Sequence, residues 1–399
     1  NCSNTATITV TVNPIPDIYA IADQTLCHNT QTTNINFTSS VTNTVFNWTN
    51  DNTTIGLAAS GSGNIPSFTV TNTGSSPQTA TIIATPSFTN NGVTCTGSSD
   101  TFLITVNPIP DISITADQTL CHNTQTTNIN FTSSVTNTVF NWTNDNTTIG
   151  LAASGSGNIS SFTATNTGSS PQTATIIATP SFTNNGVTCT GSSDTFLITV
   201  NPIPDISATA DQTLCHNTQT TAINFTSSVT NTVFNWTNDN TTIGLAASGS
   251  GNISSFTATN TGPSPQTATI IATPSFTNNG VTCTGSSDTF LITVNPIPDI
   301  SITADQTLCH NTQTTNINFT SSVTNTVFNW TNDNTTIGLA ASGSGNIPSF
   351  TATNTGPSPQ TATIIATPSF TNNGVTCTGS SDTFLITVNP IPDIASVSD

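Results

Sequence analysis

TVFNWTN, residues 44–50, alternates large apolar and polar side chains, so that Phe46 and Trp48 fall on one face of an extended chain and Asn47 and Thr49 on the other. A period of two over this length predicts a half-buried β-strand. The same letters return with Trp142, Trp236 and Trp330, each 94 residues after the last, and these four are every tryptophan in the chain. Working outward from this strand, period-two runs are expected at 16–22, 32–39, 55–60, 66–73, 78–89 and 93–106, which makes seven short strands per unit. Turn residues separate them: NDN at 50, SGSGN at 60 as a flexible turn, TGSSP at 73 and NNG at 90. No run has helical spacing.

The inward set that follows from the alternation is Ile18, Ile35, Phe37, Phe46, Trp48, Phe68, Ala80, Ile82, Phe102, Ile104 and Val106. A unit of this size buries a core of its own, so the units read as beads on a string. The expected organisation is the final strand of a preceding repeat at 1–12, four repeats at 13–106, 107–200, 201–294 and 295–388, and the start of a following repeat at 389–399. A lone Trp on the third strand, aimed between two layers, is the mark of immunoglobulin-like sandwiches. Their usual inter-sheet disulfide is missing, since Ile35 and Ile82 hold those core positions.

Charge narrows the function. Eighteen acidic residues, all Asp, stand against no Lys and no Arg, giving a formal net charge of −18. Nucleic acid and anionic membrane surfaces are therefore poor partners. No signal peptide or membrane segment falls inside the sequence. Nine Cys, two per repeat plus Cys2, fit an oxidising exterior. The joints carry two prolines each, Pro108 and Pro110, Pro202 and Pro204, Pro296 and Pro298. Proline fixes φ and biases its predecessor to extended backbone, so these links are expected to be short and stiff.

The string FNWTNDNTTIGLAASGSGNIPSFTVTNTG from Phe46, followed by TATIIATP and closed by CTG and ITVNPIP, resembles the PKD-like repeats of giant surface adhesins of gliding, type IX-secreting bacteria, the SprB-like adhesins. The resemblance covers all four repeats. It implies an all-β tandem array of immunoglobulin-like, PKD-like seven-stranded β-sandwiches in an extracellular, cell-surface stalk or filament without enzymatic activity. The WDFGDG-type motif of other PKD domains is replaced here by NWTNDN, so nothing known of that motif carries over.

Candidate chemistry is sparse. Cys27 and His28 are adjacent in every repeat, but neighbours on an extended chain point opposite ways and one His per repeat makes no metal site. Asp51, and Asp111 at the start of the next repeat, are weak calcium candidates, because two carboxylates fall short of the six or more oxygens calcium takes. No cofactor is otherwise expected. For the cysteines, a first strand running head to tail puts Cys27 at the tail of its repeat, and the NNG hairpin puts the Cys95 position at the head. A disulfide spans only about 7 Å between Cα atoms. The expected bonds are thus Cys27–Cys189, Cys121–Cys283 and Cys215–Cys377, with Cys27–Cys95 open if the first strand is misplaced. The functional reading is a stalk or filament segment of a secreted bacterial cell-surface adhesin, a stiff extender that projects an adhesive tip, whose expected partners are neighbouring repeats of the same longer chain and other copies in a filament, its surface or glycan ligand being unknown. Carbohydrate- or surface-binding modules, or accessory domains of a secreted enzyme, are the alternatives.

Overall fold

The computed structural model describes residues 2–392. The chain divides into two compact units, the first ending at Pro202 and the second beginning at Ile203, and each holds two repeats. The last part of the expected following repeat, 393–399, lies outside the described residues.

In repeat 1 the strands are β1 (Gln24–Cys27), β2 (Val45–Asn50), β3 (Ser60–Ser62), β4 (Gln78–Asn90), β5 (Val93–Thr96) and β6 (Asp100–Asn107). They form one sheet in the order β1-β6-β4-β2-β3, with β5 on the far half of β4. All pairings are antiparallel except β1 with β6, which are parallel and set Cys27 beside Asn107. The same sheet recurs in every repeat. A second layer lies over it, where 31–37 and 65–71 meet through the bridges Gln31↔Thr69 and Ile35↔Ile65. The chain is all-β, a tandem array of immunoglobulin-like β-sandwiches.

The second layer is thinly laddered because side chains take over the backbone's bonds. Asn64 Oδ1 accepts from Phe37 N at 2.9 Å, Asn34 Oδ1 from Ser67 N at 2.7 Å and Thr32 Oγ1 from Phe68 N at 3.1 Å. Asn and Thr compete for backbone groups in this way wherever their short side chains reach. Between the layers pack Ile35, Phe37, Phe46, Trp48, Ile82, Phe102, Ile104 and Val106, with the Phe37 ring centroid 5.4 Å from that of Phe46 and 6.4 Å from that of Phe102. Ile18 and Phe68, expected inside, are only partly buried against this core.

Trp48 is flanked by the smallest residues available. Its cross-strand neighbours are Ala84 on β4 and Gly61 on β3, and a methyl group on Gly61 would lie 2.2 Å from the indole ring. SGSG is therefore an edge strand moulded to the Trp, in place of the expected flexible turn. Burying an indole removes 150–250 Å² from water, roughly 4–6 kcal/mol, which outweighs the ~1–3 kcal/mol cost of its Nε1–H having no acceptor.

The strands expected at 32–39 and 66–73 are replaced by the isolated bridges of the second layer, and three further strand boundaries differ from expectation. The first strand sits at 24–27 instead of 16–22, because the N–H groups of the earlier segment go to Thr38 O and the Asp100 carboxylate. Residues 53–55 form a single 3-10 turn, capped by Asn52 and ended by Gly56 at φ 97°, where a strand was expected from Ile55. The last strand is broken at Gly97, whose N–H turns to Pro86 O at 3.0 Å while its α-carbon lies against Pro16 O. Residues 2–12 form no strand and are exposed.

Trp142→Ala should cost about 3–5 kcal/mol. In urea followed by circular dichroism, that variant is expected to show a separate early transition carrying about a quarter of the amplitude, one repeat of the four. Repeat 3 supplies a second test, since Ala222 stands where Asn34, Asn128 and Asn316 each accept from a serine N–H. Ala222→Asn should stabilise repeat 3 by about 0.5–1.5 kcal/mol, read as a rise in its urea midpoint.

Candidate functional site at the joint between repeats

Within each unit, an asparagine at the end of one repeat docks into the next. Asn107 closes β6 and is fully buried. Its Nδ2 donates to Asn184 O at 3.2 Å and Val187 O at 3.5 Å, and its Oδ1 accepts from Asn184 Nδ2 at 2.9 Å. Asn184 and Val187 flank the hairpin turn of repeat 2, whose Asn185 and Gly186 adopt φ of 49° and 75°. That turn needs positive φ at both positions, which Asn and Gly tolerate best. Asn295 makes the same three contacts with Asn372 and Val375 in the second unit, and Asn13 makes them with Asn90 and Val93 in repeat 1.

The cysteines lie beside this contact. Parallel pairing brings Cys27 next to Asn107, and Cys189 sits on the hairpin strand that Asn107 docks against. Cys27 and Cys189 are bonded, with Cα atoms 5.6 Å apart; Cys215 and Cys377 are bonded likewise, also at 5.6 Å. Cys2, Cys95 and Cys309 are free thiols. The remaining expected pair, Cys121 with Cys283, has one member in each unit. Pro108 and Pro110 are buried in the first unit, and Pro296 and Pro298 in the second. A methyl group on Gly191 would strike Pro110 O at 1.8 Å, so the link lies flat on the repeat it enters. Pro202 and Pro204 fall on either side of the division between the units.

His28 turns the other way, into its own repeat. Its backbone N–H donates to Asn107 O at 2.9 Å, and its Nδ1 accepts from Asn72 N at 2.9 Å. Asn72 in turn donates to Val106 O at 2.7 Å and Ser76 O at 2.9 Å. Cys and His of the CH pair thus have separate structural partners, and sequence reasoning missed Asn72 altogether.

The carboxylates answer backbone N–H groups in place of cations. Asp23 accepts from Leu103 N at 2.8 Å, Asp51 from Thr81 N at 2.6 Å and Asp100 from Ile21 N at 2.8 Å. Asp111 takes three bonds, from Ser133 Oγ and Ser134 N at 2.7 Å and Ser134 Oγ at 2.9 Å. The two calcium candidates, Asp51 and Asp111, therefore have different partners, and no group of three or more His, Cys, Asp or Glu suited to a metal occurs among the described residues. A groove of about 610 Å³ lined by 302–308 and 315–318 contains one ionisable side chain, Asp305, and its Oδ1 accepts from Leu385 N. Among the described residues no helix is long and apolar enough to cross a membrane.

No family model matches the chain, and no curated protein matches it. Among solved structures it is similar to a mutated variant of titin domains I67–I69, at 11% identity and a TM-score of 0.41, over 71% of this chain and 99% of that one. It is similar to Sidekick-1 immunoglobulin domains 1–5 at 13% identity and a TM-score of 0.30, over 94% and 80% of the two chains. Mouse cadherin-23 EC22–24 gives 11% identity and a TM-score of 0.35 over 71% and 100%.

The Ser133 hydroxyl, then the Ser134 N–H and hydroxyl, hold Asp111 at a pKa of about 2, below its ordinary 3.8; Asp205 and Asp299 are held at about 2 by the equivalent serines, and Asp17 is lowered by Ser39 and Ser40. A depressed folded-state pKa stabilises the fold above the ordinary value and loses that contribution as pH falls through the folded value. The contribution of these carboxylates to the thermal midpoint is thus expected to be constant above about pH 4 and to be lost between about 4 and 2, and Asp111→Asn should remove the part of that loss due to repeat 2.

Proposed function

We propose that this chain is a stalk or filament segment of a secreted cell-surface adhesin, a stiff extender that projects an adhesive tip. The observation that carries this reading is the joint, where a docked asparagine, a flat diproline link and a disulfide hold one repeat to the next. A protein invests its few buried polar contacts and its cysteines at such a place when the spacing of its domains matters. The Cys121–Cys283 bond belongs to the same scheme, as do the repeat boundaries at 13, 107, 201, 295 and 389. At about 3.3 Å per residue, strands of eight to eleven residues and their joint advance the chain by roughly 35–45 Å per repeat. The lack of Lys and Arg fits an extracellular surface and keeps nucleic acid and anionic lipid away. The segment works without catalysis and without a required metal. The binding-module alternative is not favoured, since the only Tyr is Tyr19 and the Trp rings are buried.

Deleting two of the four repeats from the parent protein should shorten the projected thread by about 70–90 Å and leave binding by the tip unchanged. The intact chain should bind no glycan on an array, and its unfolding midpoint should be the same with and without a calcium chelator. Specific glycan binding by the chain would replace the stalk reading with the module one.

A further inference from the structure

Each disulfide closes a long loop, Cys27 with Cys189 and Cys215 with Cys377, both at a sequence separation of 162. Traced through bonds alone, the shortest path through the first unit enters along 2–27, crosses to Cys189 and leaves along 189–202. Through the second unit it enters along 203–215, crosses to Cys377 and leaves along 377–392. Everything else hangs from that path as two closed loops, 28–188 and 216–376. Those loops contain the Trp-bearing strands 45–50, 139–144, 233–238 and 327–332 and the long strands 78–90, 172–184, 266–278 and 360–372.

The path itself is made of edge-to-centre strands already extended in the fold: 24–27, 194–201, 212–215 and 382–389. In each repeat the short first strand and the long last strand are parallel and in register over four residues, Gln24↔Ile104 to Cys27↔Asn107 in repeat 1 and Gln306↔Ile386 to Cys309↔Asn389 in repeat 4. A chain in this geometry has little slack between its ends. Force applied along it reaches the next covalent bond before it reaches the strands held in the two loops.

We infer that the oxidised chain carries tension along this disulfide-bridged path and keeps the loops 28–188 and 216–376, with the Trp-bearing strands of all four repeats, out of the line of force. Without the bonds, the polypeptide is the only route. Force then enters each repeat at its first strand and leaves at its last, shears that parallel pair and unravels the core behind it. The disulfides thus act as a limiter of extension, a mechanical role separate from the number of repeats and independent of whether the chain is a stalk.

Single-molecule stretching of the 399-residue chain, held at its two ends, tests this. The oxidised chain should reach its limit without any core-unfolding step. A chain with all nine Cys changed to Ser should show four steps and a full extension longer by about 1100 Å, at roughly 3.4 Å for each residue released from the two loops. Equal full extensions would overturn the inference. A second variant decides the matter even if the serine chain does not fold: Trp142→Ala in the oxidised chain weakens the packing of a strand that lies off the path, so its force–extension curve should match that of the parent. A new low-force step in that curve would show that force reaches the strands held in the loops, and would overturn the inference.

Discussion

The parallel pairing of Gln24–Cys27 with Ile104–Asn107 is the contact on which the joint depends. A hairpin cannot join parallel strands, so this pair exists only because the chain wraps the whole repeat between its first and last strands. The result is that two residues far apart in sequence, Cys27 and Asn107, finish side by side at one pole. One supplies a thiol and the other an amide to the hairpin of the following repeat. Were the first strand antiparallel to the last, Cys27 would sit at the opposite pole and the docked asparagine would have no covalent companion.

A second constraint is the absence of cations. With no Lys or Arg, no Asp can pair with a lysine or arginine side chain, yet the four Asp of each repeat are not idle charges on its surface. In all four repeats they accept backbone N–H groups that the interrupted strands leave over, at Ser40, Leu103, Thr81 and Ile21 in repeat 1. Bonds from N–H to a carboxylate are stronger than neutral ones, and they need no countercharge. Asn does the same work in the interior, with Asn50 donating to Leu57 O at 3.0 Å and Asn72 to Val106 O at 2.7 Å. The Thr- and Asn-rich composition that looks bland in the sequence is thus what holds the irregular segments in place.

Much of the fold was legible because alternation is strict at 45–50 and strong along 78–90 and 100–107, and because the period of 94 residues leaves no doubt about the unit. Illegible were the places where a side chain replaces a ladder bond. Nothing in DIYAIADQTLC says that strand pairing begins at Gln24, since that depends on Asp100 capturing Ile21 N from the other end of the repeat. SGSG carries a loop's composition, and only the indole of Trp48 explains why Gly61 lies in a strand. At the joint, the cysteines could be placed by their poles, whereas Asn107 looked like one more polar letter before a proline. Its burial depends on a hairpin 77 residues further on, and no local pattern encodes that.

Because the peptides around the cysteines are nearly identical from repeat to repeat, the joint is best tested with chains that keep only two of them. One chain retains Cys27 and Cys189, the other Cys27 and Cys95, with serine at the remaining seven positions. After air oxidation and thiol titration of the monomer, the account predicts no free thiol in the first chain and two in the second. Two thiols in the first and none in the second would place the bond within a repeat and contradict the joint described for Cys27 and Cys189.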